Sequence, residues 1–326
     1  MKCLTLKFGA ALCTGVMLAA GSALASEYPD HAITMVVPFS PGGPADIAAR
    51  SLAESMRPSL GKTIIIENKA GAGGTIGTAQ VAHARPDGYT ILMMHLGFTT
   101  APSLYKKPGY NAQADFQPIG LAIDVPMTII ARSDFPPNTI QEFMDYLKAN
   151  KDKVSMANAG VGSASHLCGI MLTNALGIKL LTVPYKGTAP AMNDLLGKQV
   201  DFICDQTTST SSYIKDKAVK AYAVTSKQRV PSLPSLPTLQ ESGLKGFEIG
   251  VWFGLWTAKG APKPAVDKLV SALQAGLADE NFKNRMVAMG AAVLPGEANP
   301  EALAQKVNQQ VPLWKGLFEN SGIKPQ

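Results

Sequence analysis

The sequence predicts an α/β protein of two domains, and three observations support this fold class. Short segments rich in β-branched residues alternate with helical stretches along most of the chain, which is the pattern of parallel sheets covered by helices. Removing a predicted export signal at residues 1–25 leaves about 300 of the 326 residues, more than one hydrophobic core usually supports. A second run of strands and helices begins near residue 125. We therefore predict one domain from residues 26–124 and 226–326, with a second domain from residues 125–225 inserted in it.

The first residues carry the export prediction. Lys2 and Lys7 precede an apolar segment, and the small residues Ala23-Leu24-Ala25 follow it, as in a secretory signal peptide. We expect cleavage after Ala25 and a periplasmic mature chain. The alternative is an uncleaved membrane anchor, which the Ala and Gly content of the segment disfavours. No later segment has the roughly 18 apolar residues that a membrane span needs.

The first half of the chain has a clear order of elements. The helix after the first loop is amphipathic, with its alanines, Leu52 and Met56 on one face. Asp46 and Arg50 lie one turn apart on the other face, so we expect them to pair. In chain order we predict a strand at 33–37, a loop at 38–44, a helix at 45–57, a strand at 64–66, a Gly-rich turn at 71–74 with a short helix, and a strand at 89–94.

The second half repeats this alternation and then returns to the first domain. A long extended segment at 119–131, interrupted by Pro126, is the predicted crossing into the second domain. Two crossings between domains predict a hinge and a cleft. In chain order we then predict helix 139–149, strand 154–157, helix 164–176, strand 180–184, helix 188–196, strand 200–204, strand 218–224, a proline-marked connector, an extended segment at 247–258, and two or three C-terminal helices.

Composition and motifs exclude several classes of function. The chain is 46% hydrophobic and 17% charged, which is typical of globular proteins. The formal charge is +6, but the basic residues are dispersed, so we expect no nucleic-acid partner. A mildly positive surface suits anionic solutes. The Gly71–Gly77 spacing is one residue too long for a dinucleotide fingerprint, Ser163 lacks a nucleophile elbow, and the four histidines lack metal-ligand spacing. The sequence therefore predicts no enzyme, no cofactor and no metal.

Four polar loops follow predicted strands, at the end of a sheet where α/β proteins bind ligands. Glycines in the first loop let backbone N–H groups approach a solute, and a helix start favours negative charge. Phe39 could contact the ligand or pack in the core, and Ser163 could bind the ligand or only cap its helix. The candidate residues are Phe39, Ser40, Gly42 and Gly43 in the first loop, Asn158, Ser163, Ala164 and Ser165 in the second, Tyr185, Lys186 and Gly187 in the third, and Asp205 in the fourth.

Ordered motifs run through the whole mature chain. They are VPFxPGGxxDxxxR from Val37, ENKxGAGG from Glu67, PDGYT from Pro86, PSLY from Pro102, GSxSHL from Gly162 and VPYKG from Val183. Each motif is weak alone, but the ordered set is specific. It resembles the substrate-binding proteins of tripartite tricarboxylate transporters, also called Bug receptors.

The resemblance implies a type II-like periplasmic-binding-protein fold that closes on one carboxylated solute, with no cofactor and with membrane permease subunits as partners. It assigns ligand contacts to the loops at 38–43 and 162–166, and ligand-dependent variation to Phe98, Thr99 and Asp205. Phe39 and Phe98 favour an aromatic or medium-length dicarboxylate over citrate. We expect a monomer. A receptor read by a sensor kinase is an alternative that the sequence does not separate from transport, and an extracytoplasmic hydrolase is disfavoured.

Two cysteines follow the predicted cleavage site, Cys168 and Cys204. They could be buried thiols, which behave as small apolar residues. On the predicted fold, however, one lies in the first turn of a helix and the other ends a strand at the same rim, so a bridge is geometrically possible. We predict a disulfide between them, which an oxidising compartment permits.

Overall fold

The computed structural model of the chain describes residues 28–320 and 325. The predicted signal segment and its cleavage site lie outside these residues. Across the described part of the chain, no helix is both long enough and apolar enough to cross a bilayer.

The N-terminal third forms three parallel strands with helices between them. β1 is buried at Ile33, Met35, Val36 and Val37, and it pairs in parallel with β2 on one side and β3 on the other. This central position explains its nearly continuous apolar sequence. The elements are β1 (Ile33–Val37), α1 (Pro44–Leu60), β2 (Ile64–Asn68), α2 (Thr75–Ala82), β3 (Thr90–His95) and α3 (Gly97–Leu104).

The middle of the chain adds a second group of strands. β5 pairs in parallel with β6 and β7, and the helix after each of these strands starts at the strand's carboxyl end. The elements are β4 (Phe116–Arg132), α4 (Ile140–Ala149), β5 (Ser155–Asn158), α5 (Ala164–Leu176), β6 (Leu181–Pro184), α6 (Thr188–Leu196), β7 (Phe202–Gln206), α7 (Thr207–Lys215) and β8 (Val219–Val224).

The C-terminal part returns to the first strands. β9 lies between β3 and β4 and is antiparallel to both. The sheets are therefore mixed, and the expectation of parallel sheets is wrong for β4 and β9, because neither strand is part of a βαβ unit. The elements are β9 (Gly250–Ala258), α8 (Lys263–Ala278), α9 (Glu280–Ala288), β10 (Ala292–Val293) and α10 (Pro300–Asn320).

β4 connects the two groups of strands, which share the order β2-β1-β3-β9-β4-β7-β5-β6. Up to Pro126 it pairs with β9, from Met127 it pairs with β7, and from Thr128 it also pairs with β8. Contrary to the expectation, Pro126 does not interrupt the strand. It lies where β4 changes partners, so its missing N–H breaks no continuous ladder of hydrogen bonds.

Thr225 joins the chain segments at this change of partners. Its hydroxyl accepts a hydrogen bond from the Met127 N–H at 2.9 Å and donates one to the Ile249 carbonyl at 2.7 Å. The side chain is fully buried. One residue therefore ties β4, the end of β8 and the start of β9 together. The domain bounds at 124/125 and 225/226 stay a prediction.

Candidate functional site

A small cavity of about 10 Å³, roughly the room that one water molecule needs, lies where the carboxyl ends of β1, β3, β5 and β7 meet. Its walls combine helix N-termini, hydroxyl groups and two aromatic rings. The residues that line it are Phe39, Pro44, Ala45, His95, Ala159, Ser163, Ala164, Ser165, Thr188, Asp205 and Gln206. The first, second and fourth predicted loops contribute side chains here. The third predicted loop leads into Thr188, the first residue of α6, which also lines the cavity.

The first wall is the loop that starts α1. Gly42 adopts a left-handed φ of 77° and donates its N–H to Asp46 Oδ2 at 2.9 Å. Asp46 also pairs with Arg50, as expected, and accepts from Asn68. Although burial favours the neutral acid, the hydrogen bonds from Arg50, Gly42 and Asn68 lower the pKa of Asp46 below its ordinary value. This buried carboxylate holds the loop in shape, and the start of α1 faces the cavity at Pro44 and Ala45.

The second wall is the start of α5. Ser163 caps the helix by accepting the His166 N–H at 3.3 Å, and its hydroxyl lies 3.1 Å from Ser165 Oγ. Ser165 in turn accepts the Ala159 N–H at 2.7 Å. Ser163 therefore caps α5 and also lines the cavity. Asn158 is buried and fixes the loop by accepting the Gly160 N–H, but it does not line the cavity.

The third loop contributes less than expected. The Tyr185 hydroxyl donates to Asp194 at 2.5 Å, and the Lys186 side chain is exposed, so neither residue lines the cavity. Gly187 packs on Ser40, since a Cβ at this glycine would lie 2.3 Å from Ser40 Oγ. Thr188, the next residue, does line the cavity.

Asp205 lies in the cavity wall with 1% of its surface exposed. It accepts hydrogen bonds from Thr188 Oγ1 at 3.1 Å and from Ser209 Oγ at 2.5 Å. Burial raises the pKa of Asp205 to about 6, against the opposing effect of these bonds.

Phe98 and Thr99 do not line the cavity, and a contact of either residue with the ligand stays a prediction. Phe98 stacks on Trp256 at 4.3 Å between ring centroids and meets Phe116 edge-on at 5.0 Å. Thr99 is fully buried and donates to the Leu96 carbonyl of its own helix. Both residues belong to α3, a helix that the sequence did not indicate, and α3 turns them into the core.

His95 and Gln206 also line the cavity. Gln206 follows Asp205 in the fourth predicted loop, whereas His95 is not among the residues predicted from the sequence, although its position at the carboxyl end of β3 points to the site. Gln206 ends β7 beside Asp205, and its Oε1 is buried with no hydrogen-bond partner in the described structure. In the same part of the chain, no group of three or more His, Cys, Asp or Glu residues is placed to hold a metal ion.

The walls of the cavity touch each other at its edges. A Cβ at Gly73 would lie 1.9 Å from the Val161 carbonyl oxygen, and one at Gly97 would lie 3.1 Å from the Gly162 carbonyl oxygen. These contacts make the structure a closed arrangement of the cleft. Nearby, the first turns of α7 carry a row of buried hydroxyls, from Thr207 to Ser211.

The structure contains the predicted disulfide between Cys168 and Cys204. It joins α5 to β7, with 6.1 Å between the two Cα atoms, and both residues are fully buried. The bond fixes the strand that carries Asp205 to the helix whose first residues line the cavity.

Comparisons with known proteins agree with this architecture. A family model described as the tripartite tricarboxylate transporter family receptor matches residues 48–323. An Agrobacterium vitis protein, named UPF0065 protein in the TAR-I ttuE-ttuC' intergenic region, is 43% identical over 317 residues, which cover 97% of this chain and 92% of that protein.

Solved structures give the same result. The periplasmic binding protein BugD is 66% identical with a TM-score of 0.91, covering 92% of this chain and 100% of BugD. MatC from Rhodopseudomonas palustris, solved with bound malate, is 38% identical with a TM-score of 0.85, covering 89% of this chain and 99% of MatC. These likenesses confirm the predicted two-domain periplasmic-binding-protein fold. The chain belongs to the tripartite tricarboxylate transporter family of receptors.

Proposed function

We propose that this protein is a periplasmic receptor that binds a small organic carboxylate in the cavity and delivers it to the membrane permease of a tripartite tricarboxylate-type transporter. One observation carries the proposal: the N-termini of α1 and α5 and the buried hydroxyls of Ser163, Ser165 and Thr188 line a single cavity. Helix N-termini offer unpaired N–H groups and a favourable potential to an anion.

The lining of the cavity favours a compact ligand. In the closed structure the cavity measures only about 10 Å³, so its walls have to part before any acid enters, and Phe39 already stacks on His95 at 4.7 Å. Phe98 lies in the core, so Phe39 is the one of these two phenylalanines that remains at the cavity to favour an aromatic ligand. We therefore propose a short dicarboxylate, a class to which the malate bound by MatC belongs.

The predicted signal segment and the family support the periplasmic location. Binding in the cleft requires the two strand groups to separate, and we propose that they move about the segments at Pro126 and Thr225. A carboxylate gripped from both sides would then hold the cleft closed, and the closed form is the one that the permease would recognise.

A thermal-unfolding screen with carboxylic acids tests the function. A ligand present at one hundred times its Kd adds about 2.7 kcal/mol to the free energy of unfolding. We expect a short dicarboxylate to raise the Tm and its uncharged diamide to have no effect, since the diamide lacks the anion. No stabilisation by any mono-, di- or tricarboxylate would reject the receptor function.

A further inference from the structure

His95 is the one imidazole in the cavity wall within the described residues. It ends β3, and only 2% of its surface is exposed. It lies among the lining residues together with Ser163, Ser165 and Asp205.

The hydrogen-bond pattern fixes the tautomer of this ring. The Gly97 backbone N–H donates to His95 Nδ1 at 2.9 Å. Because an amide N–H can only donate, Nδ1 is the unprotonated nitrogen of a neutral ring, and the hydrogen is on Nε2. Burial agrees with the neutral form, since it lowers the pKa of His95 to about 3.

The ring cannot easily turn away from the cavity. It stacks on Phe39 at 4.7 Å with 26° between the ring planes, and Phe253 meets it edge-on at 5.6 Å. A Cβ at position 97 would lie 2.8 Å from His95 Cε1, so the chain passes close beside the ring. The direction of the Nε2–H is therefore set before a ligand arrives, which lowers the entropic cost of using it.

The Nε2–H of His95 is a donor without a protein acceptor among the described residues. No hydrogen bond from His95 Nε2 to a protein atom is formed by the residues that the structure describes, although Nδ1 is bonded. Of the nearby polar groups, Ser163 is engaged with Ser165, and Asp205 with Thr188 and Ser209. The Oε1 of Gln206 is the unpaired acceptor of the same wall, and it forms no hydrogen bond with His95. His95 Nε2 is not among the fully buried side-chain atoms that lack a partner, so it is accessible from the cavity that the ring lines, and a polar group of a ligand can take up this donor.

We propose that His95 is a specificity-determining residue, whose Nε2–H donates a hydrogen bond to the second carboxylate of a dicarboxylate ligand held at its other end by the start of α5. The inference rests on the proposed function and deepens it. The Nε2–H can donate to an oxygen at this end of the ligand. It disfavours a methyl group, which would leave the N–H unpaired, and an ammonium, which has no lone pair to accept the bond.

Paired ligands and variants test this role. The ligands are the dicarboxylates from malonate to adipate and malate, each matched with the acid in which a methyl replaces one carboxylate. For His95→Phe, which keeps an aromatic ring on Phe39, we expect the affinity for the best dicarboxylate to fall about 10- to 100-fold. The affinity for its methyl analogue should change less than about threefold. His95→Gln, which keeps an N–H donor, should recover part of the loss.

A spectroscopic measurement on the unmodified residue keeps the test independent of folding of the variants. The chain has four histidines, so ¹⁵N NMR of the labelled imidazoles can be assigned with His95→Gln. We expect the Nε2–H tautomer of His95 without ligand and a shift of its Nε2 resonance when a dicarboxylate saturates the protein.

The outcomes separate the two proposals. If no carboxylate binds the unmodified protein, both fail. If dicarboxylates bind but the Nε2 resonance does not move, or His95→Phe loses equal affinity for both members of a ligand pair, the role of His95 fails and the receptor function stands. A preference of the unmodified protein for the methyl analogues would also overturn the role of His95 alone.

Discussion

At the scale of single residues, the ionisation of Asp205 should be visible in the stability of the protein. Burial raises the pKa of this carboxyl from 3.8 to about 6. The folded protein therefore binds the proton more tightly than the unfolded chain does. The proton on Asp205 therefore stabilises the folded protein by roughly 3 kcal/mol at most. This stabilisation is complete below about pH 4 and is lost as the pH rises through 6.

We expect Asp205→Asn, which cannot ionise, to be more stable than the unmodified protein at pH 7.5 by about 1–3 kcal/mol. The difference should shrink towards zero at pH 4. Urea unfolding at both pH values measures it. Asp267→Asn, on the exposed part of α8, is the control. A stability difference for Asp205→Asn that does not depend on pH would contradict the assignment.

The residues of the site were only partly predictable from the sequence. Phe39, Ser163, Ser165 and Asp205 line the cavity as expected, because they follow strands whose carboxyl ends are easy to locate. The position of Phe98 was not predictable, because the direction of its side chain depends on α3. Gly97 and Pro102 have low helix propensity, so the sequence of α3 does not indicate a helix. His95 was within reach, because it ends a predicted strand at the same rim.

At the scale of elements, the best predictions are those with clear end signals. The helices at 164–176 and 188–196 were predicted with the bounds that the structure has. Ser163 caps the first of them, and Gly177 ends it in a left-handed conformation. α7 was missed, because its sequence is mostly Thr and Ser, which have low helix propensity and are stabilised here by tertiary packing.

The Gly-rich turn before α2 should control closure. Gly73 has a φ of 61°, and a Cβ there would collide with the Val161 carbonyl across the cleft. We expect Gly73→Ala to weaken binding of the best carboxylate more than tenfold, measured by calorimetry, because it wedges the closed form open. Gly61→Ala is a matched control: its φ is 68° and nothing lies within 4 Å.

Both glycine variants should lose about 1 kcal/mol of stability from the left-handed backbone. Only the variant at the cleft should lose affinity. Equal affinities for both variants would mean that the two segments do not have to touch when ligand binds.

The bond between α5 and β7 should contribute to the stability of the unit that carries Asp205. It closes a loop with a sequence separation of 36 residues, which the chain-entropy model values at about 3–4 kcal/mol. We expect the double variant Cys168→Ala, Cys204→Ala to lose stability of this order in urea unfolding. Alkylation of Cys168 and Cys204 in the denatured, unreduced protein would show that the bond is absent.

At the scale of the whole molecule, Thr225 should set the angle between the two strand groups. Its hydroxyl joins the Met127 N–H to the Ile249 carbonyl. We expect Thr225→Val to lower stability by about 1–3 kcal/mol, because a backbone N–H loses its partner. It should also increase the radius of gyration of the ligand-free protein in X-ray scattering and reduce ligand affinity severalfold, since closed forms become rarer.

Thr257→Val is the control for this prediction. Thr257 is also fully buried, and its hydroxyl donates to the Thr90 carbonyl at 3.0 Å, far from the change of partners in β4. A similar loss of stability with no change in radius or affinity is expected. If both variants change the radius equally, Thr225 has no special role in the movement.

The buried hydroxyls at the start of α7 bear on the balance between the closed and the open form. Within the described structure, the hydroxyls of Thr207 and Thr208 have no hydrogen-bond partner, and α7 packs against α1. A buried hydroxyl without a partner costs about 1–3 kcal/mol, since water hydrates it in an exposed position. On the proposed function, a domain movement that lets water reach these two hydroxyls would therefore favour the empty, open receptor.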